Sequence, residues 1–283
     1  KLTERSGLTL TGFYKERKDM IALRTIVNAY PYSYTTYDNR DFSTTKGTTL
    51  LYDMRATNHL ALNLAYTLQF AEGTGSTPTG GRGLLSNLIQ EGFPNIRYIT
   101  PLDYDSRHNI SARIDYRFND GEGPEVHGLK ILQNAGVDFI VKTRSGEPYT
   151  RFQDAYGNTV VGGVNGSRLP WHFGTDMRIE KDFALTWGNL HKQAAEGVKP
   201  KHPYYIKAII LVSNLFNTRE VLGVYGYTGR PDDNGYLSSA LGQTYVPQQV
   251  NPQSFVDLYK IYSNNPGNLN YARTINFSLE FNF

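Results

Sequence analysis

No cysteine occurs anywhere in the 283 residues. Disulfide scaffolds, thiolate metal sites and thiol nucleophiles are therefore excluded. The absence does not choose a compartment, since it fits the cytosol and also a secreted bacterial protein folded without disulfides. A dominant charge is missing too. Lys and Arg number 29 against 26 Asp and Glu, which leaves +3, and no basic run of the kind a polyanion requires is present, so nucleic acid is not an expected partner. Long hydrophobic runs are also lacking. The longest aliphatic stretch, AIILV at 208–212, falls far short of the about 20 apolar residues of a spanning helix. A membrane strand needs only about 9–11 residues with one apolar side, so this absence leaves strands untouched. The opening KLTERSGLTL has no apolar run of a signal peptide.

What is present is aromatic and alternating. Hydrophobic residues make up 39% of the chain, yet it carries 21 Tyr, 14 Phe and 27 Gly. A polar chain with this aromatic load fits a protein whose apolar residues form a thin outer layer, and also a soluble β-rich domain that binds sugars or peptides. In TINFSLEFNF, 274–283, Ile275, Phe277, Leu279, Phe281 and Phe283 share one parity and Thr274, Asn276, Ser278, Glu280 and Asn282 the other. LALNLAYTLQF (60–70), NISARIDYRF (109–118) and WHFGTDMRIE (171–180) repeat the pattern. Period two over ten residues means a strand between two different environments. Less regular candidates lie at 8–21, 47–57, 129–143 and 204–227, which makes eight strands in all. No linker or compositional break divides residues 1–283, so one domain is expected.

The connections alternate in length. TN at 57–58 and NDGEGPEVHG at 119–128 are short, whereas 28–46, 72–104, 144–169 and 228–270 are long, against a usual median of about 4–6 residues. An up-and-down antiparallel sheet does this when one rim carries turns and the other carries functional loops. The segment 183–203 breaks the rule. NPQSFVDLYKIYSNNPGN, 251–268, reads as a short helix between Pro-bounded turns, its Phe255, Val256, Leu258, Tyr259 and Tyr262 available to dock a loop.

Two architectures account for the alternation. A soluble sandwich places the apolar side inward. A membrane barrel places it toward lipid, and must close because no strand edge can stay unpaired in hydrocarbon. Strand length beyond the usual 5–6 residues and polar sides of Ser, Asn and small groups favour the barrel. Tyr104, Tyr116, Phe118, Trp171, Phe173, Tyr271, Phe281 and Phe283 would then form interfacial belts.

Few residues suggest chemistry. Asp103, Asp105 and His108 in PLDYDSRHN have metal-ligand character, but an Asp105–Arg107 pair at a strand start explains them as well. Asp232 and Asp233 begin a calcium-like turn that no full ligand series completes. GTGSTPTGGRG lacks the Lys-Ser/Thr ending of a phosphate loop, and Ser167 has no visible base. No catalytic, metal or cofactor role is assigned. Candidate contacts are the tyrosines Tyr30, Tyr32, Tyr34 and Tyr37 of AYPYSYTTY, which either present an aromatic surface or pack their own loop. Arg113, Asp115, Arg117, Asp176, Arg178, Glu180 and Glu280 share the polar parity and would face a lumen.

The chain resembles the C-terminal portion of a TonB-dependent outer-membrane receptor of the Bacteroidetes, Oar-like type with a carboxypeptidase-regulatory-like domain. SNLFNTREVLGVYGYTG (213–229), NGSRLPWHFGTDMRIEKDF (165–183), residues 251–283 and LTGFYKERKDMI (10–21) carry the resemblance. It implies a transmembrane antiparallel up-and-down β-barrel of 22 strands, these residues supplying about the last eight and the plug domain lying outside them. It implies energy-coupled uptake of a ligand in the bacterial outer membrane, without enzymatic activity. The implied partners are the TonB-ExbB-ExbD complex acting through the plug, the barrel assembly machinery reading Phe281 and Phe283, outer-membrane lipid, and a surface lipoprotein or other outer-membrane subunits. The alternatives are a structural or surface-receptor subunit of a larger outer-membrane assembly, and a secreted β-sandwich that binds glycans or degrades polymers.

Overall fold

A computed structural model describes residues 4–26, 30–32, 34–78, 98–128, 130–155, 159–185 and 205–282. The long strands are β1 (Ser6–Ile26), β2 (Tyr34–Thr57) and β3 (Leu60–Gly73), followed by a two-residue β4 (Thr100–Pro101). Next come β5 (His108–Arg117) and β6 (Ala135–Arg144). Four short pieces follow: β7 (Pro148–Tyr149), β8 (Arg151–Phe152), β9 (Val160–Val161) and β10 (Ser167–Arg168). The chain continues through β11 (His172–Ala184), β12 (Tyr205–Ser213) and β13 (Thr274–Asn282). Helices α1 (Ala240–Tyr245) and α2 (Pro252–Ser263) lie between the last two strands.

One antiparallel sheet runs β1-β2-β3-β5-β6-β11-β12-β13, with β4 pairing the end of β3. This path corrects the barrel expectation. Among the described residues β1 pairs as a strand only with β2, and β13 only with β12, so the sheet is open; near its loop end β1 is also met by Pro78, whose carbonyl accepts from Leu23 N at 3.2 Å. Alternation reports the two environments of a strand's faces; it carries no information about closure, which is a pairing between the first and last strands. The sandwich is not formed either among the described residues, whose other sheets have two strands each.

The register lines the alternation up across the whole sheet. Met54, Leu62, Ile114, Phe139, Met177, Val212 and Ile275 stand in one row. The next row is Leu60, Tyr116, Val137, Ile179, Ile210 and Phe277. The opposite face has Asp53, Asn63, Arg113, Ile140 and Asp176 in one row and Arg117, Gly136, Glu180, Ile209 and Ser278 in another. Buried apolar side chains are few among the described residues (Ala22, Ala71, Leu102, Leu169, Ile209 and Val212), whereas Leu64, Ile210, Ile275, Phe277 and Leu279 are exposed. The sheet thus keeps its apolar face in contact with its surroundings.

Strand bounds differ from the sequence reading in instructive ways. The interval 28–46 is mostly strand, since β1 runs to Ile26 and β2 starts at Tyr34. Thr, Tyr and Asp alternate there without an apolar side, so periodicity gave no signal. The reading of 204–227 as one strand fails at Asn214, where positive φ at Asn214 and Asn217 ends β12 in a turn. The short β2–β3 turn has positive φ at Asn58 and His59, the two-residue geometry that matches strand twist. Helix α2 begins on Asn251, whose side chain accepts from Ser254 N at 3.0 Å, with Pro252 in the first turn.

The β5–β6 turn gives a pH prediction. The Glu122 carboxylate accepts from Asn119 N at 2.8 Å and lies 3.3 Å from His59 Nδ1. The Asn119 backbone donor first, and His59 further down the order, hold its pKa below the usual carboxylate range. A depressed folded pKa means the contribution is complete above the ordinary Glu value and is lost as pH falls through the folded one. Protection of the Asn119 amide is expected to hold at the ordinary Glu value and to drop only as pH falls further, through the depressed one. Glu122→Gln should remove that pH step, as read by hydrogen exchange.

Candidate functional site

Two regions gather the polar side chains: the polar face of the sheet, and the rim where its long connections meet. On the polar face, Arg113 forks onto Asp138, with Nε at 3.1 and 2.9 Å from the two carboxylate oxygens and Nη2 at 2.7 Å. Arg117 pairs with Glu180 and reaches Asp115 at 3.5 Å, and Arg178 Nη2 meets Glu180 at 2.9 Å. Asp115, Arg117, Arg178 and Glu180 of the predicted set thus form one ionic cluster between β5 and β11, and Arg113 pairs beside it with Asp138 of β6. Asp176 shares the face but is used locally: its carboxylate accepts from Asn214 N at 2.9 Å and fixes the NLFN turn. Glu280 lies opposite Lys207 at the sheet's far side, away from the cluster. Asp138, the fork's acceptor, was missed in the sequence although it lies inside the 129–143 candidate strand; the alternation of Val137, Phe139 and Val141 against Asp138 is the signal that could have found it.

The rim is knit from three connections. β4 folds back along β3, with Leu102 N donating to Ala71 O at 3.0 Å and Ala71 N donating to Asp105 Oδ1 at 2.8 Å. Asp105, only 1% exposed, pairs through Oδ2 with Arg168 and stands 3.5 Å from Arg107 Nε. Arg168 Nη1 donates to Asp105 O at 2.6 Å and to Gly146 O at 3.3 Å. Asn165 Nδ2 donates to Pro101 O at 2.9 Å and to Asp103 Oδ1 at 2.7 Å. His172 is buried between carboxylates, with Nε2 at 3.0 Å from Glu147 and Nδ1 at 3.8 Å from Glu220. Glu220 Oε1 in turn accepts from Phe173 N at 2.6 Å. Asp103, Asp105 and His108 thus do not converge, since His108 Nδ1 is engaged by the Tyr66 hydroxyl at 2.9 Å. No group of three or more metal-capable side chains exists among the described residues.

Gly146 is needed by this packing. A Cβ there would lie 1.9 Å from Leu169 O and 2.6 Å from Pro170 O. Gly146→Ala is expected to destabilise the rim by about 2 kcal/mol through forced backbone displacement, measured as a lower denaturation midpoint. A wild-type midpoint would show that the two segments part freely.

Tyrosines 30, 32, 34 and 37 crown the rim. Residues 34–42 of β2 pair only with β1, as a two-stranded ribbon braced at its base by Thr74 Oγ1, which donates to Asp41 at 2.9 Å. Tyr30 and Tyr32 at its tip are 100% and 80% exposed, and Tyr34 and Tyr37 are exposed on opposite faces. Trp171 stacks on His108 at 5.7 Å and Phe173 on Phe216 at 6.5 Å near the same rim. Tyr116 and Phe118 meet edge-on at 5.3 Å at the turn end. Phe281 is exposed on β13; Phe283 and most of 183–203 lie outside the described residues.

Fold and site together define an all-β protein built on one open, two-sided sheet with a knit loop rim. No family model and no curated protein matches the chain. Among solved structures, the outer membrane transporter YddB from Escherichia coli is similar at 10% identity and a TM-score of 0.46, over 78% of this chain and 28% of that one. The chain thus spans well under two thirds of that transporter's length. The resemblance to TonB-dependent receptors is corrected accordingly: with no family match and an open sheet, neither that membership nor an import barrel stands. The physical reason lies in the motifs. NLFN has a local explanation as a turn, in which Asn214 Nδ2 donates to Thr218 O and Tyr271 O at 3.0 Å each, and any antiparallel sheet can use such a turn.

Proposed function

We propose that the chain is a structural or surface-receptor part of a larger outer-membrane assembly. The observation that supports this most is the apolar face, continuous in one central row from Met54 of β2 to Ile275 of β13, exposed at Leu64, Ile210, Ile275, Phe277 and Leu279, and backed by paired charges on the other side. In water such a face invites aggregation; against hydrocarbon it is stable. Residues 60–68 rise about 27 Å along the strand, close to the apolar band of about 25 Å that a membrane sheet presents. The partners proposed are outer-membrane lipid on the apolar face and strands of further outer-membrane subunits beside β1 and β13, the end strands of the sheet among the described residues, because backbone groups in lipid must be paired. The tyrosine-tipped ribbon is the contact element of the receptor role: its aromatic rings offer rigid, amphipathic contact area at low entropic cost.

The cysteine-free chain allows a direct test. Single cysteines at Ile114 and Leu279 should resist a water-soluble maleimide in isolated outer membranes, and cysteines at Ser111 and Ser278 should react. Equal labelling at both parities would sink the reading.

A further inference from the structure

At the loop end of β1–β3 the apolar face is hollowed into an open groove of about 590 Å³. Gly12 stands in a row with Thr48 and Leu68, and the next row toward the rim is Tyr14, Lys46 and Phe70. These six residues line the groove together with Phe13 and Gly47, a pair of the other parity. Nothing lies within 4 Å of the position a Gly12 Cβ would take, so the space is open above the glycine. Below it Leu10 and Leu50 continue the apolar surface.

The charges are ordered along the strands. Lys46 is exposed and has no carboxylate partner among the described residues, on a face that is otherwise apolar at this height. Arg107 lies 5.3 Å over the Phe70 ring and shares Asp105 with Arg168, so that trio keeps one uncompensated positive charge. One row further out stand Glu16, Thr44 and Glu72; Glu16 is held by Lys18 at 3.3 Å. From the middle of the sheet outward the order is apolar surface, cation, carboxylate.

We infer that this groove binds a lipid whose headgroup carries a phosphate and, beyond it, a primary ammonium. Acyl chain, phosphate and ammonium follow one another in such a lipid in the order in which Leu10 and Leu50, Lys46, and Glu72 follow one another on the face. A quaternary ammonium cannot donate hydrogen bonds to Glu72, and a headgroup that is only anionic meets Glu16 and Glu72 with like charge. The inference rests on the lipid-facing reading of the apolar side.

Native mass spectrometry of the detergent-purified protein with equimolar phosphatidylethanolamine, phosphatidylglycerol and phosphatidylcholine tests it. Wild type should retain phosphatidylethanolamine about fivefold over phosphatidylcholine, the size of one charged contact at a membrane surface. Lys46→Gln should weaken retention of phosphatidylethanolamine and phosphatidylglycerol alike. Glu72→Gln should remove only the ethanolamine preference, and Gly12→Trp should abolish retention of all three. Equal retention of the three lipids by wild type, unchanged retention in Lys46→Gln, or displacement of the lipid by inorganic phosphate overturns the site. A Leu279→Cys variant that stays shielded from maleimide in the same preparation shows that the facing reading survives such a failure, whereas reaction there brings down both.

Discussion

Leu62→Arg and Leu279→Arg are expected to abolish stable membrane association, while Asn63→Arg and Ser278→Arg leave it nearly intact. Leu62 stands between Met54 and Ile114, and Leu279 beside Ala208. On the lipid-facing reading a guanidinium at either position would face hydrocarbon, at a cost of up to about 2–4 kcal/mol, the larger at Leu62, because the row of Leu279 also holds Lys181. Position 63 lies between Asp53 and Arg113 on the other face, so an arginine there gains one partner and meets one like charge in a hydrated, already ionic setting. Ser278 stands beside Ile209, with Lys207 and Glu280 in the next row. The measurement is the fraction of each variant that stays with membranes after carbonate extraction. Comparable losses at 62 and 63, or at 279 and 278, would remove the basis for assigning the two faces.

How much of this was legible in the sequence depends on the range of the interaction. The faces of β3, β5, β11 and β13 were readable because side-chain direction is local, repeating every second residue. The short turns were readable too, since turns have their own chemistry at Asn58 and Gly121, whereas the long connection read at 28–46 is mostly strand. The β2 arm of the β1–β2 ribbon was hidden because residues 34–41 carry no aliphatic side chain on either face, and no hydrophobic period marks such a strand. Closure was not legible at all: it depends on whether β1 and β13 meet, and no residue within either strand reports that. The same limit applies to the rim. Asp105 and Arg107 are two residues apart, and their pairing could be expected; Arg168 arrives from 63 residues away, carried there by the register of β6 and β11, which no spacing rule anticipates. His172 and its carboxylates Glu147 and Glu220 come together for the same reason.

That long-range pin sets up the second large effect. Asp105→Ala is expected to destabilise the loop rim by roughly 3 kcal/mol, the low end for breaking a buried ion pair because Arg168 and Arg107 are themselves partly solvated. Three losses coincide. Ala71 N–H, on a residue with no exposure, is left without an acceptor. Arg168 loses its salt bridge and keeps only carbonyl partners. Arg107 is left over Phe70 without its counter-charge. Asp105→Asn separates these contributions, since the amide oxygen can still accept from Ala71 while the charge is gone; its expected loss is about half as large. Hydrogen exchange should locate the damage: amides of Ala71, Leu102 and Leu169 open, and those in the middle of β5 and β6 stay protected, because the sheet ladder does not pass through Asp105. If Ala71 stays protected in Asp105→Ala, the carboxylate is not the pin, and the rim is held by the Asn165 contacts to Pro101 and Asp103 instead. If exchange rises throughout β5 and β6, rim and sheet unfold together, and the contact loops are part of the scaffold and not a layer mounted on it.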